Sequence, residues 1–147
     1  MKTKKVLFSL VMAIILLAQC AVFPALAANT TPDLPRYNNT LTVSCKASVS
    51  SAGVITIKNK FTGISGVTTG ATIETYIEKR VLGLFWSRVD IGQPNNTWVD
   101  AVSGTSYSGS HTFQLASSGT YRVTASFTIR GSGGAADEIT KTVTTTY

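Results

Sequence analysis

A single histidine sets the limit on acid–base chemistry in this chain. His111 lies in Ser110-His111-Thr112-Phe113, and a hydrolytic triad would need it as the base between a nucleophile and an orienting acid. It is in phase with Phe113 and Leu115, which reads as a half-buried strand histidine. Paired carboxylates for glycoside hydrolysis must stand about 5 to 9.5 Å apart, whereas Glu74 and Glu78 on one extended strand are separated by about 13 Å. Asp90 can approach either of them across a sheet, but Arg88 and Tyr76 share that neighbourhood, so the group reads as a solvated polar ladder. Zinc needs paired Cys-x-x-Cys or His-x-x-x-His ligands, and neither spacing occurs. Scattered Asp and Glu leave calcium open. Gly131-Ser132-Gly133-Gly134 lacks the rest of a phosphate-loop motif and falls between two strands, so it reads as a turn. The expectation is a protein with no catalytic residue, no metal ligand and no cofactor.

The N-terminus carries an address. Lys2, Lys4 and Lys5 precede Val6 to Leu17, twelve residues without charge, and Ala25-Leu26-Ala27 supplies a small-residue cleavage pattern. Twelve residues at 1.5 Å rise reach about 18 Å, short of the ~30 Å needed to span a bilayer. Residues 1 to 27 are therefore read as a secretory signal peptide, with the mature chain starting at Ala28. Gln19 stands where a lipoprotein signal carries a small residue, so Cys20 is expected to leave with the signal. Removing the signal takes three of the thirteen basic residues and leaves ten against seven acidic ones, a net charge of +3. That is too weak to argue for nucleic acid, and it leaves only a mild attraction to anionic wall polymer or lipid headgroups. Cys45 becomes the only cysteine, so a mature domain of 120 residues has no disulfide and rests on its core.

Serine and threonine make up 35 of those 120 residues, often at alternate positions, as on the wet face of an antiparallel sheet. Residues 28 to 40 hold two prolines and read as an extended arm, so the domain proper is placed at 41 to 147. Leu41, Val43, Cys45 and Ala47 alternate with polar residues in the first strand. Val54 to Phe61 is the second, Ala71 to Val81 the third and Phe85 to Ile91 the fourth. A weaker strand spans Ser108 to Leu115. In Thr120 to Arg130 the residues Tyr121, Val123, Ala125, Phe127 and Ile129 all fall on one face. Ile139 to Tyr147 closes the sheet. Seven to eight short strands at this spacing predict an all-β, antiparallel β-sandwich.

Two segments resemble the immunoglobulin pattern. Leu41-Thr-Val-Ser-Cys45-Lys-Ala-Ser is similar to that family's second strand with its core cysteine, and Ser118-Gly119-Thr120-Tyr121-Arg122-Val123 to the corner before its sixth. The resemblance implies that the Tyr121 hydroxyl bonds back to nearby backbone. It also implies that Val123 occupies the place of the second core cysteine, leaving Cys45 packed against Val123 as a buried thiol. The whole chain is similar to short exported proteins of uncharacterised function in Gram-positive bacteria, which implies export and a sandwich and no activity.

The segment from Ala71 to Ile91 is the most specific. Pairing residues whose numbers sum to about 166 sets Val81 against Phe85, Lys79 against Ser87, Ile77 against Val89 and Thr75 against Ile91 on the inner face. The outer face then offers Arg80 with Trp86 for a cation–π contact, Glu78 with Arg88 for an ion pair and Tyr76 with Asp90 for a hydrogen bond. Leu82-Gly83-Leu84 is left as the tip. Hairpin tips are normally polar, so Leu82, Leu84, Trp86, Arg80 and Arg88 form a candidate contact site for cell-wall polymer, a surface protein or a membrane interface. The alternative is that the tip folds back over the end of the sandwich as core, the commoner fate of an apolar run. The expected function is a secreted, non-enzymatic binding or structural module at the envelope or in the extracellular matrix. A secreted antagonist or membrane-active toxin is the alternative, ahead of a hydrolase.

Overall fold

The computed structural model describes residues 37 to 147, so the predicted signal peptide and most of the predicted arm lie outside the described residues. Eight strands run through the described residues: β1 Thr40–Val49, β2 Val54–Gly63, β3 Thr68–Val81, β4 Phe85–Arg88, β5 Trp98–Ser103, β6 Ser106–Gln114, β7 Thr120–Gly131 and β8 Asp137–Thr146. They form two antiparallel sheets, one ordered β1-β2-β6 and the other β4-β3-β7-β8, with β5 also on β3. Because β7 occupies one side of β3, β4 and β5 share the other, β4 opposite residues 78 to 81 and β5 opposite residues 70 to 75.

Period-two alternation puts Ile55, Ile57 and Phe61 of β2 into the core. Ala71, Ile73 and Ile77 of β3 face them, with Tyr121, Val123, Ala125, Phe127 and Ile129 of β7. Two polar side chains interrupt this layer. Asn59 and Thr75 are fully buried, and the Asn59 Nδ2 donates to the Thr75 hydroxyl across the sheets at 2.7 Å, while the Asn59 Oδ1 has no partner among the described residues. An unmade bond in a dry core costs more than a made one returns. Thr75→Val is therefore expected to cost about 2 kcal/mol, and adding Asn59→Leu to restore most of it, because the pair is then replaced by packing of similar shape. Urea titration of both single variants and the double closes that cycle.

Four sequence expectations need correction. Leu41 is 61% exposed, because the β1–β2 register shifts between Thr40 and Thr42 and turns its side chain outward. The domain also begins earlier than Leu41: Asn39 and Thr40 are buried, held by the Asp137 carboxylate. Gly133 allows this approach, since a Cβ there would lie 2.1 Å from the Asn38 carbonyl oxygen. The strand β5 falls between Ile91 and Ser108, where the sequence pattern predicts no strand. Finally, the fourth strand ends at Arg88 and not Ile91, so Thr75 pairs with Trp98. Ile91 leaves the ladder, its N–H bonded to the Asn96 Oδ1, but its side chain stays in the core as expected.

Cys45 lies on β1, the outer strand of its sheet, and is buried in the same cluster as Val123. Burial pushes its thiol up to about 11, so at pH 8 only about one in a thousand is ionised. Alkylation of the native protein at that pH should be at least about 100-fold slower than in denaturant, as mass spectrometry of timed aliquots will read.

Candidate functional site

The hairpin register is the predicted one, with Glu78 opposite Arg88, Lys79 opposite Ser87, Arg80 opposite Trp86 and Val81 opposite Phe85. A backbone bond from the Val89 N–H to the Ile77 carbonyl extends it one step. The turn closes with the Leu84 N–H on the Val81 carbonyl at 3.0 Å, and Leu82 and Gly83 both take positive φ, 51° and 70°. This is the twist that suits a tight hairpin, and glycine or asparagine meets it without strain. A leucine there costs on the order of 1 kcal/mol.

The tip does not fold back as core. Leu82 is 84% exposed, Leu84 74%, Phe85 65% and Val81 40%. The pairing with β7 stops at Lys79 opposite Tyr121, and beyond it β3 and β4 run on with only each other. Above Ile77 the inner face turns polar, with Lys79 opposite Ser87. The Lys79 ammonium donates to the Ser117 hydroxyl and lies 5.6 Å from the centre of the Tyr121 ring. A polar layer thus separates the core from the four apolar side chains beyond it.

The outer face below the tip carries cations stacked on rings. The Arg80 guanidinium lies 6.0 Å from the Trp86 ring centre, Arg122 of β7 lies 4.4 Å from the same ring, and Arg88 lies 3.5 Å from that of Tyr76. The Arg80–Trp86 contact is the predicted one. The Glu78–Arg88 pair is not: Glu78 accepts from Arg122 instead, at 2.7 and 2.8 Å. Arg88 donates to the Thr97 hydroxyl at 3.0 Å and the Asn95 carbonyl at 3.4 Å. Nor does Tyr76 meet Asp90, whose carboxylate accepts from the Gly92 N–H. Arg122 is the site residue that the sequence did not reveal, because its place depends on how β7 registers against β3, Arg122 falling opposite Glu78.

The remaining reactive residues are spread elsewhere. His111 of β6 bonds through Nε2 to Asp100 of β5 at 2.8 Å, and its ring stacks on Trp98 at 4.9 Å and 8°. The Tyr107 hydroxyl titrates above its usual value, through burial first and then the charge and hydrogen bond of Asp100. Glu74 is exposed on the outer face. Among the described residues no three His, Cys, Asp or Glu side chains converge as metal ligands. Tyr121 does what the resemblance implied, its hydroxyl donating to the Ser117 carbonyl four residues upstream. Compared with known proteins, the chain matches no family model and no curated protein.

Proposed function

We propose that the protein is an exported, non-enzymatic binding module, an immunoglobulin-like sandwich that makes contact through the β3–β4 tip at the cell envelope or in the matrix around it. The N-terminal signal pattern supports the address. The immunoglobulin-like reading is supported by the order β4-β3-β7-β8 over β1-β2-β6 and by the Tyr121 corner. On that reading Cys45 sits on the first strand of the pattern and not the second, since among the described residues β1 pairs only with β2.

The observation that carries the contact site is the isolated apolar tip. Val81, Leu82, Leu84 and Phe85 are exposed beyond a polar layer, so they contribute nothing to the core, and Leu82 also strains the turn. A soluble module keeps such a feature against hydration and backbone preference when something else covers it. Leu82→Ser with Leu84→Ser should leave the melting temperature within about 2 °C while lowering retention on whole cells, peptidoglycan, teichoic acid or lipid by about tenfold or more. Unchanged retention on all of them, or a loss of several kcal/mol of stability, would sink the proposal. Leu82→Asn sharpens the test: it relieves the positive φ, so stability should hold or rise while retention falls.

A further inference from the structure

We propose that the tip seats in the headgroup region of an anionic lipid bilayer, an assignment that rests on the tip being the contact site. The first reason is shape. The tip is apolar on every side, with Val81 and Phe85 on the inner face and Leu82 and Leu84 at the turn, which suits a medium that surrounds it. The second is depth. From the Arg80–Trp86 pair to Gly83 is three residues, about 10 Å at strand rise, and an interfacial segment buries about 5 to 10 Å of its apolar side. The turn also carries backbone groups beyond the one bond between Leu84 and Val81. Those groups find partners among headgroups and water but none in hydrocarbon, so insertion stops at the interface.

The third reason is charge. Lys79, Arg80, Arg88 and Arg122 flank the tip against one carboxylate in the same pairs, Glu78, a local net charge of +3. Arg80 and Arg88 are exposed and stacked on rings, and neither pairs with an acid among the described residues. Stacking leaves in-plane N–H donors of a guanidinium available for phosphate; Arg88 gives its Nη1 to Thr97 and Asn95 and keeps Nε and Nη2 for that role. Trp86, half-buried among them, sits at the level where amphipathic rings favour the membrane–water boundary.

The test uses the purified protein in the form its host processes it to. It compares sedimentation with phosphatidylcholine vesicles and with the same vesicles containing phosphatidylglycerol. Residues 6 to 17 are themselves apolar, so binding is read as the difference from the Leu82→Ser/Leu84→Ser variant. Trp98→Phe leaves Trp86 as the only tryptophan reporter. The proposal expects about tenfold or stronger binding to the anionic vesicles, a blue shift of Trp86 emission on binding, and loss of both in the serine variant. Arg80→Gln with Arg88→Gln should weaken anionic binding by about tenfold and flatten its salt dependence.

Equal or absent binding to the two vesicles overturns the lipid assignment. If the serine variant meanwhile loses retention on peptidoglycan, the contact site stands with a wall partner. A dimer in sedimentation that the serine variant abolishes makes a second copy the occupant and also overturns it. A serine variant that binds everything as the parent does removes the contact site itself.

Discussion

Replacing Asp137 with Ala is expected to cost the domain about 3 kcal/mol, enough to lower its melting temperature by about 10 to 20 °C. The carboxylate is 5% exposed at the start of β8. It accepts the backbone N–H groups of Asn38 and Asn39 at 2.8 Å each and the Thr40 hydroxyl at 2.7 Å. One side chain therefore ties the start of the chain's first strand to its last. Alanine leaves the buried Asn39 N–H without an acceptor, and the cost is that of an orphaned donor added to the lost bonds. Desolvation is the largest single influence on this carboxyl and pushes it up. The bonds from the Thr40 hydroxyl and from the backbone of Asn38, Asn39 and Thr40 outweigh it, and the group ends below its usual 3.8. A carboxyl depressed by folding contributes its full stability above the unfolded value and loses it as pH falls through the folded one. Urea midpoints measured from neutral to about pH 3 should thus fall more steeply below about pH 4 for the parent than for Asp137→Ala. Parallel curves would show that the carboxylate is not the anchor.

Tyr121→Ala should be costlier still, about 4 kcal/mol. Its ring is 2% exposed at the end of the sandwich, with the Lys79 ammonium above it, and its hydroxyl fixes the turn before β7 through the Ser117 carbonyl. The same turn bonds to the C-terminus, with the Gly119 and Tyr147 backbones exchanging N–H and carbonyl at 3.0 Å. Tyr121→Phe keeps the packing and removes one buried bond, so it should cost about 1 to 2 kcal/mol. The difference between the two variants in chemical denaturation apportions ring from hydroxyl. Equal losses would mean that the corner bond carries the whole effect.

Alternation made most of this fold legible. In β7 every second residue from Tyr121 to Ile129 is apolar and every one is buried, because a strand central in its sheet has a single way to hide such a set. The 78-to-81 pairing was legible for the same reason, since a slip of one residue sets Ile77 against Arg88 or, in the other direction, Asp90. β5 was not, because its inward set is Trp98, Asp100 and Val102, and Asp100 on the inside beside Val99 on the outside reverses the pattern. Asp100 is there for His111, a partner eleven residues on and in the other sheet. Leu41 misled because a bulge moves a side chain between faces without altering the sequence around it. The fate of the tip was hidden for a simpler reason: apolarity is local, whereas exposure depends on where the neighbouring strand β7 stops. Arg122 was missed on similar grounds, its position being set by pairing between strands more than forty residues apart.

β7 accompanies β3 only as far as Lys79 opposite Tyr121, so from Arg80 to Trp86 the hairpin is a ribbon of two strands with no third beside it. Two strands alone are marginal in water. This segment is expected to open locally, its amide hydrogens exchanging without the sandwich unfolding while those of Ile73 and Ile77 wait for the global event. A partner seated on the proposed contact site would close that unit, and slowed exchange confined to residues 80 to 86 would be a signal of occupancy written in the backbone itself.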